Sequence, residues 1–160
     1  MTPAERKLRL ASYGDAHTLL TEALTQFPRA MWQFRPASAE FTIHEIVVHI
    51  TDSEANSFVR ARRAIAEPGS AVLGYDETQW ARGLRYHAQS PEDALELFKW
   101  LRGNTYRLVR SLPEASWSGT IVHSEAGVMT LDDWLDVYDR HVPEHISQML
   151  AVYDAWQKRK

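Results

Sequence analysis

The chain has 160 residues, 44% of them hydrophobic and 24% charged, which predicts a single globular domain over residues 1–160. Its net charge of -3 argues against nucleic acid as a partner, because phosphates require a clustered Lys/Arg face. It has no cysteine, which excludes disulfides, thiolate nucleophiles and cysteine-type zinc sites, so any metal must be bound by histidine and carboxylate side chains.

The chain shows no apolar signal-peptide core, and no segment has the roughly 18 apolar residues that span a bilayer. We therefore expect a cytoplasmic protein without a membrane partner.

The first half of the chain predicts two helices. Over residues 3–27 apolar side chains recur at steps of three and four, which is typical of an amphipathic helix, and Pro28 ends it. Thr42 and Glu45 form a capping-box pattern that predicts a second helix over residues 42–66.

The second half predicts two more helices. Ser90 can cap a third helix that begins with Pro91, whose missing N–H is not needed in the first turn. Thr130 can cap a fourth helix that continues to about Gln157, and acidic residues in its first turn favour the helix dipole. Four amphipathic helices of this kind predict an all-α four-helix bundle.

Two connections are longer than a bundle requires. Residues 67–89 join the second and third helices, and an irregular connection of that length is typical of a functional cover. Residues 119–129 alternate around a glycine-containing turn, which predicts a small hairpin before the fourth helix.

Two histidines, His141 and His145, lie four residues apart in the predicted fourth helix. On an ideal helix both fall inside its apolar stripe. That stripe comprises Leu131, Trp134, Tyr138, Met149, Val152 and Trp156. A buried imidazole needs partners for its nitrogens, so the pair either packs as polar core residues or binds one metal ion. Pro143 between them either bends the helix around the core or orients the two rings.

A closed metal site needs a further ligand from another helix, and the second helix offers His44 and His49. Because His49 lies on the flank of its apolar stripe, its position fits either a surface histidine or a ligand. A polar row beside it either faces solvent or lines a wet cavity. This row comprises Glu45, Asp52, Ser53, Asn56 and Arg60.

The motifs around these histidines resemble those of the DinB/YfiT-like superfamily, in its YfiT-like branch. The family's H-[ILV]-x-D-x-E context resembles "VVHITDSEANSFVRARRA", and its H-x-x-x-H pair on the last helix resembles "RHVPEHISQ". Further similar segments are "GYDETQWA" and the hairpin glycine before "MTLDDWL". The resemblance covers about residues 11–156 and implies an up-down-down-up bundle whose metal ligands are His49, His141 and His145.

Three neutral imidazoles leave a coordination position open, which is typical of a catalytic ion. We expect zinc or nickel, with manganese or iron as alternatives. The acidic candidates for a base or for orienting a ligand imidazole are Asp52, Glu45 and Asp139. The candidates for covering the site and binding a cofactor are Tyr75, Trp80 and His123.

The resemblance implies a metal-dependent hydrolase in which metal-activated water attacks a small amide- or ester-like substrate. It also implies an alternative, a transferase or isomerase that uses a low-molecular-weight thiol. The basic residues that could contact carboxylates of such a thiol are Arg60, Arg63 and Arg85.

A third hypothesis is a bundle that binds a small molecule without catalysis and dimerises. We expect a homodimer, because bundles commonly pair symmetrically and tryptophans can supply an apolar interface. The tryptophans considered for that interface are Trp100, Trp117 and Trp134.

Overall fold

Four long helices make up most of the computed structural model, which describes residues 1–37 and 40–159. In chain order the helices are α1 (Pro3–Leu24), α2 (Ile43–Ala66), the short α3 (Glu77–Gly83), α4 (Pro91–Val109) and α5 (Leu131–Gln157). Helix α1 packs against α4 and α5, and α2 packs against the same two helices. The predicted all-α four-helix bundle is therefore confirmed.

Side-chain caps fix the starts of these helices at the predicted residues. The hydroxyl of Thr42 accepts a hydrogen bond from the backbone N–H of Glu45 (3.1 Å), and the Glu45 carboxylate accepts from the Thr42 N–H (3.0 Å). Thr130 and Asp133 form the same reciprocal pair at α5, and Ser90 caps α4. Because both partners lie within one turn, the local sequence is sufficient to predict these boundaries.

The first helix ends earlier than the apolar pattern predicts, at Leu24 rather than Phe27. Phe27 nevertheless lies in the core with Leu20, Ile46 and Phe98. A buried side chain beyond a helix end continues the apolar pattern without continuing the helix, so periodicity alone overextends the helix.

The predicted hairpin is present and belongs to a small sheet that the sequence did not predict. Its strands are β1 (Ser70–Val72), β2 (Thr120–His123) and β3 (Gly127–Thr130). Strands β2 and β3 are antiparallel, whereas β1 lies parallel to β2. The long connection over residues 67–89 is therefore ordered by β1, which pairs with the hairpin strand β2, and by α3, which packs against α2.

Gly74 ties this connection to the tip of the hairpin. Its backbone N–H donates to the hydroxyl of Ser124 (2.9 Å), and a Cβ at this position would lie 2.6 Å from the Glu125 carboxylate. A side chain at this position would displace the Glu125 carboxylate, so glycine lets the chain after β1 pass close to the turn.

The tryptophans considered for a subunit interface are mostly internal. Trp117 is 5% exposed and Trp134 is 1% exposed, whereas Trp100 is 65% exposed. Trp117 and Trp134 therefore serve the core, and the expectation that they supply an interface was wrong. A homodimer remains a prediction.

None of the helices within residues 1–37 and 40–159 combines the length and apolar character needed to cross a membrane.

Candidate metal centre

Helices α2 and α5 bring His49, His141 and His145 together inside the bundle. One ring nitrogen of each residue lies within 4.8 Å of the corresponding nitrogens of the other two. The ring centroids are 4.5 Å apart for His141 and His145, 4.8 Å for His49 and His145, and 5.5 Å for His49 and His141. The spacing of four residues on α5 thus points both rings at the histidine of α2.

The nitrogens of His49 have no hydrogen-bond partner in the described part of the chain, although the side chain is fully buried. Its neighbours include the rings of Phe41 and Tyr75, at 5.8 Å and 6.5 Å between centroids, and the Glu77 carboxylate lies 3.7 Å from Nε2, beyond hydrogen-bond distance. A buried imidazole without partners costs free energy, so this set of three nitrogen donors fits a divalent ion that accepts their lone pairs.

Gln148 orients one ring of the cluster. Its side-chain oxygen lies 2.8 Å from Nδ1 of His145 and can only accept, so Nδ1 carries the proton. Nε2 of His145 is then free of a proton and lies 3.2 Å from Nε2 of His141. A ring in which one nitrogen donates a hydrogen bond and the other carries no proton is typical of metal-binding histidines.

Burial keeps the three rings neutral. Desolvation, with smaller contributions from the neighbouring histidines, lowers the pKa of His49 to about 3 and that of His141 to about 2. Desolvation also lowers the pKa of His145. Neutral imidazole is the form that binds metals, so the cluster is ready for an ion throughout the neutral pH range.

Helix α5 runs through Pro143 without interruption, from Leu131 to Gln157. Pro143 cannot donate to the carbonyl of Asp139, and Ser147 donates its hydroxyl to the Pro143 carbonyl oxygen (3.0 Å). Pro143 lies between the two histidines in the sequence and is itself exposed. The helix tolerates the missing hydrogen bond at this position.

The acidic residues predicted as catalytic are engaged elsewhere. Both oxygens of Glu45 accept hydrogen bonds, one from the backbone of Thr42 and the other from Arg35. Asp52 accepts from the hydroxyl of Tyr86 (2.7 Å). The structure does not bring either carboxylate into the histidine cluster, and a catalytic role for them stays a prediction.

The remaining alternatives from α2 and α5 also have partners. His44 accepts at Nδ1 from the Gln33 amide (2.9 Å) and donates from Nε2 to the Gln89 carbonyl oxygen (2.8 Å). Asp139 pairs with Arg9 (3.3 Å). His44 is thus a satisfied structural histidine, in contrast to His49.

The connection after α2 covers the cluster, as its length predicted. Tyr75 and His123 line a cavity of about 250 Å³ that also includes His141. Trp80 contacts the ring of Tyr75 in a tilted arrangement, with 4.3 Å between ring centroids, and packs against the core rather than lining this cavity. Asp76 caps α3 by accepting from the backbone N–H of Gln79 (2.8 Å).

Glu77, in the first turn of α3, is the acidic residue that sequence reasoning missed. Its carboxylate lies 3.7 Å from Nε2 of His49, and it lines the cavity beside His141 as well as a second cavity of about 220 Å³ beside His145. The available signal was the segment "GYDETQWA", already identified as a cover, in which Asp76 takes the cap and the next carboxylate is free.

Comparisons with known proteins agree with this geometry. A family model described as "DinB superfamily" matches residues 13–149. The protein named "Putative metal-dependent hydrolase YfiT" of Bacillus subtilis is 27% identical over 110 residues, which cover 68% of this chain and 62% of the relative. A relative with the same description from Oceanobacillus iheyensis is 26% identical over 115 residues, covering 72% and 66%. The chain thus aligns with just under two thirds of the length of these two relatives.

A third relative, from Bacillus licheniformis, is 27% identical over 150 residues, covering 92% of this chain and 85% of its own length. The fold matches the solved structure of Bacillus subtilis YfiT, described as a probable metal-dependent hydrolase with an unusual four-helix bundle topology. The TM-score is 0.89 at 20% identity, over 98% of this chain and 90% of that one. Because the family match spans more than half of its residues, this chain belongs to the DinB superfamily, with the YfiT-like fold that its motifs predicted.

Proposed function

We propose that this protein is a metal-dependent hydrolase whose divalent ion binds to His49, His141 and His145. The observation that carries the proposal is the pair of buried His49 nitrogens, which lack partners and lie beside two other imidazoles. Coordination of an ion would recover the free energy that these unpaired nitrogens cost. The descriptions of the relatives as metal-dependent hydrolases support the same proposal.

An ion bound in this way supplies Lewis acidity, lowering the pKa of a coordinated water to about 7 and polarising a substrate carbonyl. Zinc and nickel suit all-imidazole ligation best, with manganese and iron as alternatives. We propose a small amide or ester as the substrate, since the cavity beside His141 has a volume of about 250 Å³.

Glu77 is the proton acceptor in this proposal. Its side chain is 57% exposed while its carboxylate lies 3.7 Å from His49, so it contacts both the site and solvent. As the water oxygen bonds to the substrate carbonyl carbon, Glu77 takes the proton of the water. Glu77 then gives this proton to the leaving nitrogen or oxygen, while the bond between that atom and the carbonyl carbon breaks. Water is therefore the only co-reactant that the reaction requires.

Tyr75 can donate a hydrogen bond to the oxygen on which negative charge develops. It lines the cavity next to His141, and burial raises the pKa of its hydroxyl to about 12. The hydroxyl is therefore protonated at neutral pH, and a fixed donor aimed at a developing oxyanion is typical of acyl-transfer sites.

The first test is the metal content of the untagged protein by mass spectrometry. We expect a near-stoichiometric divalent ion that is lost in His49→Ala, His141→Ala and His145→Ala and retained in His44→Ala. An ion that survives the loss of His49 would contradict the proposed ligand set.

The second test addresses catalysis, with 4-nitrophenyl acetate and 4-nitroacetanilide as probe substrates. Glu77→Gln keeps the shape of the side chain and removes its basicity, so we expect kcat to fall by about 10²- to 10⁴-fold with metal content unchanged. Glu144→Gln is the matched control, since Glu144 is an exposed carboxylate beside His145. Equal effects of the two substitutions would argue against Glu77 as the proton acceptor.

A second candidate function is transfer of a group to a low-molecular-weight thiol. The observation that favours it is the second cavity, of about 220 Å³, which shares Glu77 with the first and includes His145 and Gln148. Two cavities that meet at Glu77, one beside His141 and the other beside His145, could hold two reactants. The chain has no cysteine of its own to serve as a nucleophile.

L-cysteine and 1-chloro-2,4-dinitrobenzene test this alternative. In the reaction the sulfur bonds to the ring carbon, chloride leaves, and the thiol proton passes through Glu77 to solvent. Turnover that saturates with L-cysteine and disappears in His145→Ala would favour transfer. A rate equal to the uncatalysed rate, together with ester hydrolysis, would favour the hydrolase.

A further inference from the structure

The cavity beside His141 extends along α2 and α5 away from the histidines. Arg60 lies eleven residues after His49 on α2, about three helical turns further along, and lines the same cavity. Its guanidinium donates to the hydroxyl of Tyr138 (2.8 Å), whose ring centroid is 6.1 Å from that of His141. A small molecule can therefore contact Arg60 and the histidine cluster at once.

The charge of Arg60 is fixed in place without being neutralised. Its second hydrogen bond goes to the backbone carbonyl oxygen of Leu73 (2.7 Å), so both partners are uncharged oxygens. Within residues 1–37 and 40–159 no carboxylate forms an ion pair with it. An oriented guanidinium with unused N–H groups is a ready site for a carboxylate.

His123 adds a neutral donor to the same wall. Its Nδ1 accepts from the backbone N–H groups of Glu125 (3.2 Å) and Ala126 (3.3 Å), so in the neutral ring the proton must be on Nε2. Burial, followed by the charge of Arg60, lowers the pKa of this ring, whereas the Glu125 carboxylate opposes the shift. His123 therefore presents an N–H rather than an acceptor.

Apart from Ser53, the rest of the wall is apolar or already assigned. The apolar side chains that line it are Ile121, Met129, Trp134 and Val137. Of the two acidic residues that line it, Glu77 lies beside His49, and Glu125 lies at the exposed hairpin tip against Gly74. The cavity thus has apolar walls that suit an apolar ligand body between Arg60 and the histidines.

We propose that Arg60 and His123 bind a carboxylate of the substrate, so that this protein acts on small amides or esters that carry a carboxylate on an apolar body. The position of the reacting bond rests on the proposed metal-dependent hydrolysis. The carboxylate site requires only the cavity, so the two can fail separately.

Calorimetric titration of the protein, with and without its metal, tests the site. The probes are 4-phenylbutyrate, its neutral analogue 4-phenylbutyramide, and the cation 4-phenylbutylamine. We expect the carboxylate to bind at least about ten-fold more tightly than the other two, in both metal states, because a charge-assisted pair with arginine is lost with either analogue.

Three substitutions locate the binding. Arg60→Met removes the charge and keeps most of the aliphatic stem. We expect it to weaken the binding of 4-phenylbutyrate by about ten-fold or more without changing the affinity for 4-phenylbutyramide. Arg60→Lys should retain part of the preference. Arg63→Met is the matched control, because Arg63 lies one turn further along α2, is exposed, and contacts Glu67 rather than the cavity.

The outcomes separate this site from the metal. Binding that requires the metal and is unchanged in Arg60→Met would place the carboxylate on the ion and overturn the proposal. Equal affinities for 4-phenylbutyrate and 4-phenylbutyramide would also overturn it. Arg60-dependent binding in a protein that holds no metal would support the carboxylate site while contradicting the hydrolase. Thermal melting of each variant confirms that it is folded.

Discussion

The bundle buries two polar clusters that differ in how their polar atoms are paired. In the first, the Glu54 carboxylate accepts from the Tyr13 hydroxyl (2.9 Å) and pairs with Arg102 (2.7 Å). Arg102 also donates to the Tyr13 carbonyl oxygen (3.1 Å) and lies over its ring at 3.8 Å. Helices α1, α2 and α4 are therefore joined by charges that neutralise one another.

The second cluster is the set of three histidines between α2 and α5. Both nitrogens of His49 lack partners, and His141 and His145 face each other rather than an acidic residue of the core. The two clusters share α2, on which His49 and Glu54 lie five residues apart. In the first cluster the chain pairs both Glu54 oxygens and leaves Nε of Arg102 without a partner among the described residues, whereas in the second both nitrogens of His49 are left for a ligand. Burial of polar residues alone therefore does not distinguish a structural cluster from a site.

The largest effect is expected from breaking the first cluster. Glu54→Leu leaves Arg102 buried without its carboxylate, and we expect the free energy of unfolding to fall by about 3–5 kcal/mol. Urea denaturation of the metal-free protein measures this. Glu96→Gln is the control, since Glu96 pairs with Lys99 on the exposed face of α4 and should have little effect.

The double substitution Glu54→Leu with Arg102→Met sharpens the result. It removes both charges, so we expect it to recover most of the lost stability. A Glu54→Leu protein as stable as the Glu96→Gln control would mean that this cluster does not hold the helices together.

Acidification should act on the second cluster. The pKa of His49 is about 3 and that of His141 about 2 in the folded chain, whereas an unfolded histidine titrates near 6.5. Below pH 6.5 the unfolded chain therefore binds protons that the folded chain excludes, and stability falls with pH. We expect a loss of about 1 kcal/mol per buried histidine for each pH unit between 6.5 and 5.

Denaturation midpoints of the metal-free protein at pH 7.5, 6.5 and 5.5 measure this slope. His49→Leu removes one of the titrating rings and should make the slope shallower. A slope that is the same in His49→Leu as in the unsubstituted protein would show that the cluster is protonated in the folded state.

The same contrast explains what the sequence could predict. The capping residues Thr42, Ser90 and Thr130 act on backbone atoms three positions away, so their roles can be read locally. The pairing of His141 with His145 follows equally from the period of one helix. The burial of His49 does not, because it depends on α5 and on the cover formed by Tyr75.

Several features that the sequence could not indicate depend on partners distant in the chain. Glu45 and Asp52 lie on the correct helix, but Arg35 and Tyr86 engage their carboxylates from connections before and after it. Strand β1 was missed because its partner β2 is far along the sequence. Glu77 approaches His49 only once β1 and α3 are ordered, so the segment "GYDETQWA" indicates a free carboxylate beside the Asp76 cap but not that it reaches His49.

Gln148 provides a smaller test of the histidine cluster. Gln148→Leu removes the acceptor that holds the proton on Nδ1 of His145, and we expect metal affinity to fall by about 10- to 100-fold. Competition with a chromogenic chelator measures the affinity. Gln157→Leu, on the same helix but past the cluster, is the control, and equal affinities in the two variants would mean that His145 is oriented by packing alone.

The smallest effect has the most informative sign. His49→Leu removes two buried nitrogens that have no partners, so we expect it to abolish metal binding and yet stabilise the metal-free protein by about 1 kcal/mol. His44→Leu is the matched control on the same helix, because both of its nitrogens are hydrogen-bonded, and it should destabilise by a similar amount. Urea denaturation in the presence of a chelator compares the two. If both substitutions destabilised the chain equally, His49 would be a structural residue like His44, and the distinction between the two buried clusters would not hold.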